Sequence, residues 1–469
     1  MILNRKTSVW LLVMLLFVSG KTLAQGTDID VKIKNFSAPE IYLGYYFGDK
    51  EYVRDTAKLL SDQNGAGHYH FKSEEELKPG IYFVVKPGSK LYFQFVPDEK
   101  PFSLTTDTLD IMGNLKVTGS PKNALFLGYQ QFITEQNGVA QAIQQEMAAV
   151  PKEQTEVMEE LRSKLQEMDK KVKAKQFEVL QQHPNSMAAK VIKSTKRPEI
   201  PASITDRFGK LLYYRTHFWD NFDLSDPALL RTQFYNNKVE EYMEKLTYPH
   251  PDSLYQSASR LIELAKGNEE TFRYMVVSQT NFFEKGTRLG SENVFVKLAK
   301  KYYLSGQATW TDEETISKVK ERVEQLEPNL LYKKAAPIEL RDPEGNELSL
   351  DEHNAPYTVL FFYDPDCGHC KKETPIALDA FHELRDQGIE FWGITTVTDT
   401  EKWHQFIEER GLDWINGEDP YVQSNFRYDY DIRTTPMIYV LDKDKKIIAK
   451  KIAAENIVKF IQMYQKNNP

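Results

Sequence analysis

Among 469 residues there are only two cysteines. A framework of structural disulfides is therefore excluded, although small secreted domains often depend on one. Long apolar runs are also missing. The longest, Val9 to Val18, falls short of the ~20 residues that a membrane-spanning helix needs. Basic charge is scarce too: the formal net charge is −8, with no basic stripe. That argues against nucleic acid or an anionic membrane as a partner. No low-complexity tract and no clear repeat interrupts the chain, and its length suits two to four domains.

The N-terminus carries what a secretory signal needs. Arg5 and Lys6 precede the apolar run, small residues follow, and Thr22-Leu23-Ala24 forms a cleavage site before Gln25. Residues 1–24 read as a signal peptide whose loss leaves the remainder more acidic still. No cysteine lies near the cut, so a lipidated N-terminus is excluded. The expected location is the periplasm.

The two cysteines stand together in Cys367-Gly368-His369-Cys370. Tyr357 to Tyr363 before them is a short apolar run of buried-strand type. Lys371 to Gln387 after them has helical spacing at Ile376, Ala380, Phe381 and Leu384, and Gly388 is placed to stop the helix. A Cys-x-x-Cys pair at a strand-to-helix junction is a two-electron switch. One thiolate attacks, the second resolves, and the helix N-terminus favours the thiolate. A structural crosslink across so small a loop would remove little chain entropy. A zinc site lacks two further ligands, since no His-x(3–5)-His pair exists. Two inert buried thiols remain the bland alternative.

Composition divides the rest. Residues 25–119 show short alternating runs, such as Val31/Ile33 and Ile41/Leu43/Tyr45, separated by Pro-Gly turns. They predict a small all-β domain, sandwich-like, with His68 and His70 on one strand face as a bare metal half-site or a solvated edge. Residues 120–330 predict an α-helical domain. Val157, Leu161, Leu165, Met168 and Val172 form a stripe, Asn268 marks one helix start, and Thr311 to Glu314 has capping-box spacing. The pairs Tyr213-Tyr214, Phe218-Trp219 and Phe282-Phe283 fit a core better than a groove for clients. Residues 331–469 alternate. A hairpin around Asp342 to Gly345 leads to the strand and helix of the cysteine pair. Strand Ile389 to Ile394, a helix from Thr400 to Arg410 stopped by Gly411, and a short helix near Asp419 to Tyr428 follow. A hairpin from Met437 to Ile452 and a helix from Glu455 to Tyr464 close the chain. That order predicts an α/β domain of thioredoxin type.

Ala336-Pro337, Asp342-x-x-Gly345, Cys367-x-x-Cys-Lys-Lys-Glu-x-Pro375, Trp403 and Thr435-Pro436 together resemble the TlpA/ResA-like thiol–disulfide oxidoreductases of the thioredoxin superfamily. The resemblance covers about Ala336 to Ile452. The earlier region resembles domains of unknown function joined to such modules in some Gram-negative envelope proteins, which assigns no chemistry. The resemblance implies that Cys367 is the exposed nucleophile and Cys370 the buried resolving thiol. Pro436 would be the cis-proline, Thr435 would offer backbone hydrogen bonds to an extended client, and Glu373 would move protons for Cys370. No cofactor is implied beyond the redox-active pair itself. The implied partners are clients bearing thiols or disulfides and a membrane-linked thiol donor.

The chain departs from the family pattern in three places. Asp366 replaces the usual tryptophan and is expected to raise the Cys367 pKa by repulsion. Phe361 stands where superfamily members often bury an aspartate. His369, with Lys371 and Lys372, should favour the thiolate, and Cys-Gly-His-Cys also occurs in protein disulfide isomerases. A reductase, an oxidase or isomerase, and a non-enzymatic redox-sensing protein are therefore all open readings.

Overall fold

The computed structural model describes residues 26–88, 90–151, 154–286 and 288–468. The signal peptide expected over residues 1–24 lies outside them. Among the described residues, no helix is long and apolar enough to cross a membrane. The chain divides into two compact units.

The first unit comprises the chain up to Lys196 together with Ala228–Phe234. Its strands are β1 (Asp28–Lys34), β2 (Glu40–Phe47), β3 (Lys50–Lys58), β4 (Ser61–Gln63), β5 (Ala66–Lys72), β6 (Tyr82–Lys86), β7 (Lys90–Phe95), β8 (Phe102–Asp107) and β9 (Lys116–Thr118). They form two sheets, ordered β4-β5-β1-β8-β9 and β3-β2-β6-β7. Alternation explains the layering. Ile29, Val31 and Ile33 of β1 point into the same core as Ile41 and Leu43 of β2, as a two-layer sandwich requires. His68 and His70 share a face, as expected. Each meets a carboxylate: His68 Nε2 lies 2.7 Å from Asp30 and His70 Nε2 2.9 Å from Asp28.

Helices Pro121–Ala149 and Thr155–Gln182 pack together in this unit. Of the stripe expected on the second helix, Leu161 is buried and Val157 is exposed. The other three positions are half-buried, because the helix meets essentially one neighbour along this length.

The second unit holds Arg197–Pro227 and everything from Tyr235 onward. The helical middle is thus shared between the units, with the larger part beside the C-terminal domain. Asn268 caps helix Glu269–Glu284, its side chain accepting from the Glu270 and Thr271 N–H groups. The helix at Glu313–Leu326 is capped by Asp312, one residue later than expected: its carboxylate accepts from the Thr315 N–H at 2.7 Å. Aspartate is at least as good an N-cap as the threonine before it. Phe218, Trp219 and Phe283 are core residues, whereas Phe282 is exposed.

The C-terminal domain contains β10 (Glu339–Arg341), β11 (Glu347–Ser349), β12 (Tyr357–Tyr363), β13 (Glu390–Thr395), β14 (Ile415–Gly417), β15 (Met437–Asp442) and β16 (Ile447–Lys450). β10 and β11 pair as the expected hairpin. The others form a mixed five-stranded sheet ordered β14-β13-β12-β15-β16. β12 is central, parallel to β13 and antiparallel to β15, which puts its C-terminal end in the middle of one sheet edge. Every residue from Thr358 to Tyr363 is buried, since helices and loops cover both faces. Gly411 ends the helix Thr400–Arg410 in a left-handed conformation, as its lack of a Cβ permits. The short helix expected from Asp419 is only Phe426–Asp429. Asp419 instead folds the preceding loop, its carboxylate accepting from the Gln423 and Ser424 N–H groups and from Arg427.

Candidate active site

The chain leaves β12 at Tyr363, turns through Asp364, Pro365 and Asp366, and enters the helix Gly368–Leu384. Cys367 is the N-cap of that helix. Its backbone N–H donates to the Asp364 carbonyl at 3.1 Å, and its carbonyl accepts from Lys371 N–H at 3.0 Å. Its sulfur faces the free N–H groups of the first turn, with Cys370 N–H at 3.4 Å. The helix runs on through Pro375 and ends where Gly388 turns left-handed. Its buried face carries Cys370, Thr374, Ala377, Ala380 and Leu384. Ile376, expected inside, is exposed: small residues form the inner face here.

Opposite the sulfurs lies the loop before β15. The Thr435–Pro436 peptide is cis, as the family resemblance implied. The Cys367 thiol donates to the Thr435 carbonyl at 3.2 Å, so one residue brackets the site from 68 positions away. Both Thr435 and Pro436 are half-buried.

The two thiols differ in acidity. Burial opposes ionisation of Cys367. Hydrogen bonds from the Cys370 thiol and N–H, from the Thr435 side chain and from the His369 N–H outweigh it, and the net pKa is lowered. Cys370 is fully buried, and burial pushes its thiol up to about 12. The neighbouring Cys367 adds to that rise, against opposing hydrogen bonds from Asp364 and Thr435.

The tuning residues depart from expectation. Asp366 is not among the largest influences on Cys367. It is exposed and ion-paired with Lys402, which holds its own carboxyl below the usual range. Lys371 adds a smaller effect on the same carboxylate. His369 is exposed and reaches Cys367 through its backbone N–H. Gly368 is also exposed, and a Cβ added there would meet no atom, so surface beside Cys367 is left open. Glu373 is half-buried on the next turn, where its carboxylate accepts from Ala454 N–H at 3.0 Å.

Two contributors escaped the sequence reading. Lys402 lies 36 residues from Asp366, and nothing local marks it. Tyr363 and Trp403 form the floor: both are buried, and the Trp403 indole N–H donates to the Tyr363 hydroxyl at 3.0 Å. Burial raises the Tyr363 pKa, so it stays neutral beneath Cys370. The placement of Trp403 was legible; its partner was not.

Family models match three consecutive stretches. Residues 27–126 match a domain of unknown function (DUF4369), residues 137–329 another (DUF5106), and residues 331–450 the AhpC/TSA family. The C-terminal domain is a thioredoxin-like member of the AhpC/TSA family. With that match and the geometry of the cysteine pair, the chain is of the thiol–disulfide oxidoreductase class.

Among solved structures, a thioredoxin-like protein from Bacteroides caccae is 18% identical, covering 58% of this chain and 98% of its own, with a TM-score of 0.47. A domain of a possible thiol-disulfide isomerase from Cytophaga hutchinsonii is 40% identical over 29% of this chain and 95% of its own, with a TM-score of 0.29. The thioredoxin domain of a thiol-disulfide oxidoreductase from Bacteroides vulgatus is 26% identical over 29% and 96%, with a TM-score of 0.28. No curated protein matches.

The split acidity predicts selective chemistry. At pH 7, iodoacetamide should label the reduced chain at Cys367 and spare Cys370, as read by peptide mass spectrometry. Raising the pH toward 9 should speed labelling of Cys367 and leave Cys370 nearly inert. Equal labelling of both thiols at pH 7 would contradict the assignment.

Proposed function

We propose that this protein is an exported thiol–disulfide oxidoreductase that reduces disulfides in envelope client proteins. The observation that carries the reading is the pairing of an accessible, acidified Cys367 with a buried, high-pKa Cys370 one helical turn later. The Cys367 thiolate attacks a client disulfide, forming a mixed disulfide and releasing one client thiolate. Cys370 loses its proton and attacks the Cys367 sulfur. The second client thiol leaves, and the Cys367–Cys370 disulfide remains. The client gains two electrons and the pair loses two, so a thiol donor must restore the dithiol. No further cofactor is required. Thr435 lies where the backbone of an extended client would pass. Glu373, on the turn after Cys370, is the proposed proton acceptor for the resolving step. The signal-like N-terminus and the absence of further cysteines support a periplasmic site of action.

One observation favours the opposite direction. The hydrogen bonds that acidify Cys367 also stabilise the dithiol, which makes a pair more oxidising, as in an oxidase or isomerase. The high pKa of Cys370 pulls the other way, and the net flow follows the reduction potential.

A Cys370→Ser chain expressed in the envelope should accumulate mixed disulfides with clients, seen as dithiothreitol-sensitive adducts on gels. A clean absence of adducts would favour a non-enzymatic sensing protein. Glu373→Gln should slow resolution about 10²-fold while leaving the first attack nearly unchanged, as read by stopped-flow with a model disulfide. Equal slowing of both steps would remove Glu373 from the proton path.

A further inference from the structure

The loop that carries Thr435 and Pro436 is fastened at its start to the helical region ahead of the thioredoxin-like domain. The loop links the short helix Phe426–Asp429 to β15, and its anchor is Asp431. That side chain is only 4% exposed. Arg322, on the helix Glu313–Leu326, reaches it from 109 residues away, its guanidinium donating to Oδ1 at 2.9 Å and Oδ2 at 3.1 Å. Arg433 donates to the same Oδ1 at 2.8 Å, and Lys451 lies 3.7 Å from Oδ2. The Arg433 guanidinium also bonds Gln325 of the Arg322 helix. Asn329 donates to the Asp429 carbonyl at 3.0 Å. A second anchor holds the far side of the sheet: Lys450 of β16 donates to the Asn329 carbonyl at 2.9 Å and pairs with Glu292.

This cluster is costly unless fully paired. Burial opposes charge on Asp431, yet Arg322 and Arg433 hold its carboxyl below the usual range. A buried pair of this kind is weak evidence for stability. Its best-attested use is to fix one geometry among several. The geometry fixed here is the path into Thr435, four residues on. Thr435 accepts from the Cys367 thiol, and its side chain favours both thiolates. Between Asp431 and Thr435, Ile432 packs partly against the domain core, whereas Arg433 and Thr434 are exposed. The restraint on that end of the loop combines the packing of Ile432 with the charges gathered on Asp431.

We propose that Arg322 and Asp431 are positioning residues through which the helical region sets the client-docking loop over the cysteine pair. The stretch that matches a domain of unknown function then has a task in catalysis: it supplies the fixed frame against which Thr435 is placed. The consequence for client turnover rests on the oxidoreductase reading; the consequence for Cys367 does not.

The test uses the full chain with Arg322→Ala and, as a milder change, Arg322→Lys. Lysine keeps a positive charge toward Asp431 but not the planar guanidinium, whose one nitrogen spans both carboxylate oxygens. Two quantities are read: the thiolate absorbance of Cys367 at ~240 nm against pH, and the reduction of insulin disulfides with dithiothreitol as electron source. Arg322→Ala should move the Cys367 titration to higher pH and lower kcat/KM about tenfold, mainly through KM. Arg322→Lys should fall between it and the unsubstituted chain. If Arg322→Ala does not fold, Arg322→Lys carries both readouts alone. A folded variant with an unchanged titration and unchanged kinetics would overturn the proposal. An unsubstituted chain that cannot reduce insulin would instead count against the oxidoreductase reading, and the titration would still judge the brace.

Discussion

The chemistry of this chain depends on one placement: Cys367 as the N-cap of a helix that begins at the end of a central, buried strand. An N-cap side chain ordinarily accepts from the first-turn N–H groups through oxygen. Here a sulfur takes that position, so the unpaired donors of the helix become stabilisers of a thiolate. The strand fixes where the helix starts, and the helix fixes where Cys370 falls, three residues on and facing inward. The asymmetry of the pair therefore follows from the backbone before any neighbouring charge is considered.

Charges around the site matter less for Cys367 than their proximity suggests. Asp366 is spent on Lys402 at the surface, where an exposed pair is worth little and is screened by salt. The imidazole of His369 and the lysines after Cys370 point to solvent. What acts on the sulfur is short-range: N–H groups, the Cys370 thiol and Thr435. Thr435 is the structural link between the two readings of the protein. Its carbonyl accepts a hydrogen bond from the Cys367 thiol in the resting dithiol, and its backbone is the proposed contact for a client.

Much of this was legible in the primary structure because it is local. The apolar run Tyr357 to Tyr363, the cysteine spacing, the stop at Gly388 and the turn at Gly411 each lie within one element and its cap. Thr435-Pro436 was legible through family resemblance alone, since a dipeptide carries no signal of its own partner. The pairing of Asp366 with Lys402 and of Asp431 with Arg322 was not legible. Both join distant segments, and their residue types are ordinary surface charges. The misplacement of Ile376 has a related cause: helical spacing identifies an apolar stripe, but the inner face here is made of Cys370, Thr374, Ala377 and Ala380, with Leu384 at its end.

The central claim is that Cys367 and Cys370 cycle as one two-electron couple poised for reduction. Equilibrating the full chain against glutathione mixtures, with the thiol state read by alkylation and mass, tests it directly. The account predicts a single two-electron transition near ~−270 mV. A transition near ~−120 mV would reverse the direction of electron flow. The absence of any Cys367–Cys370 disulfide across the range would contradict the account altogether.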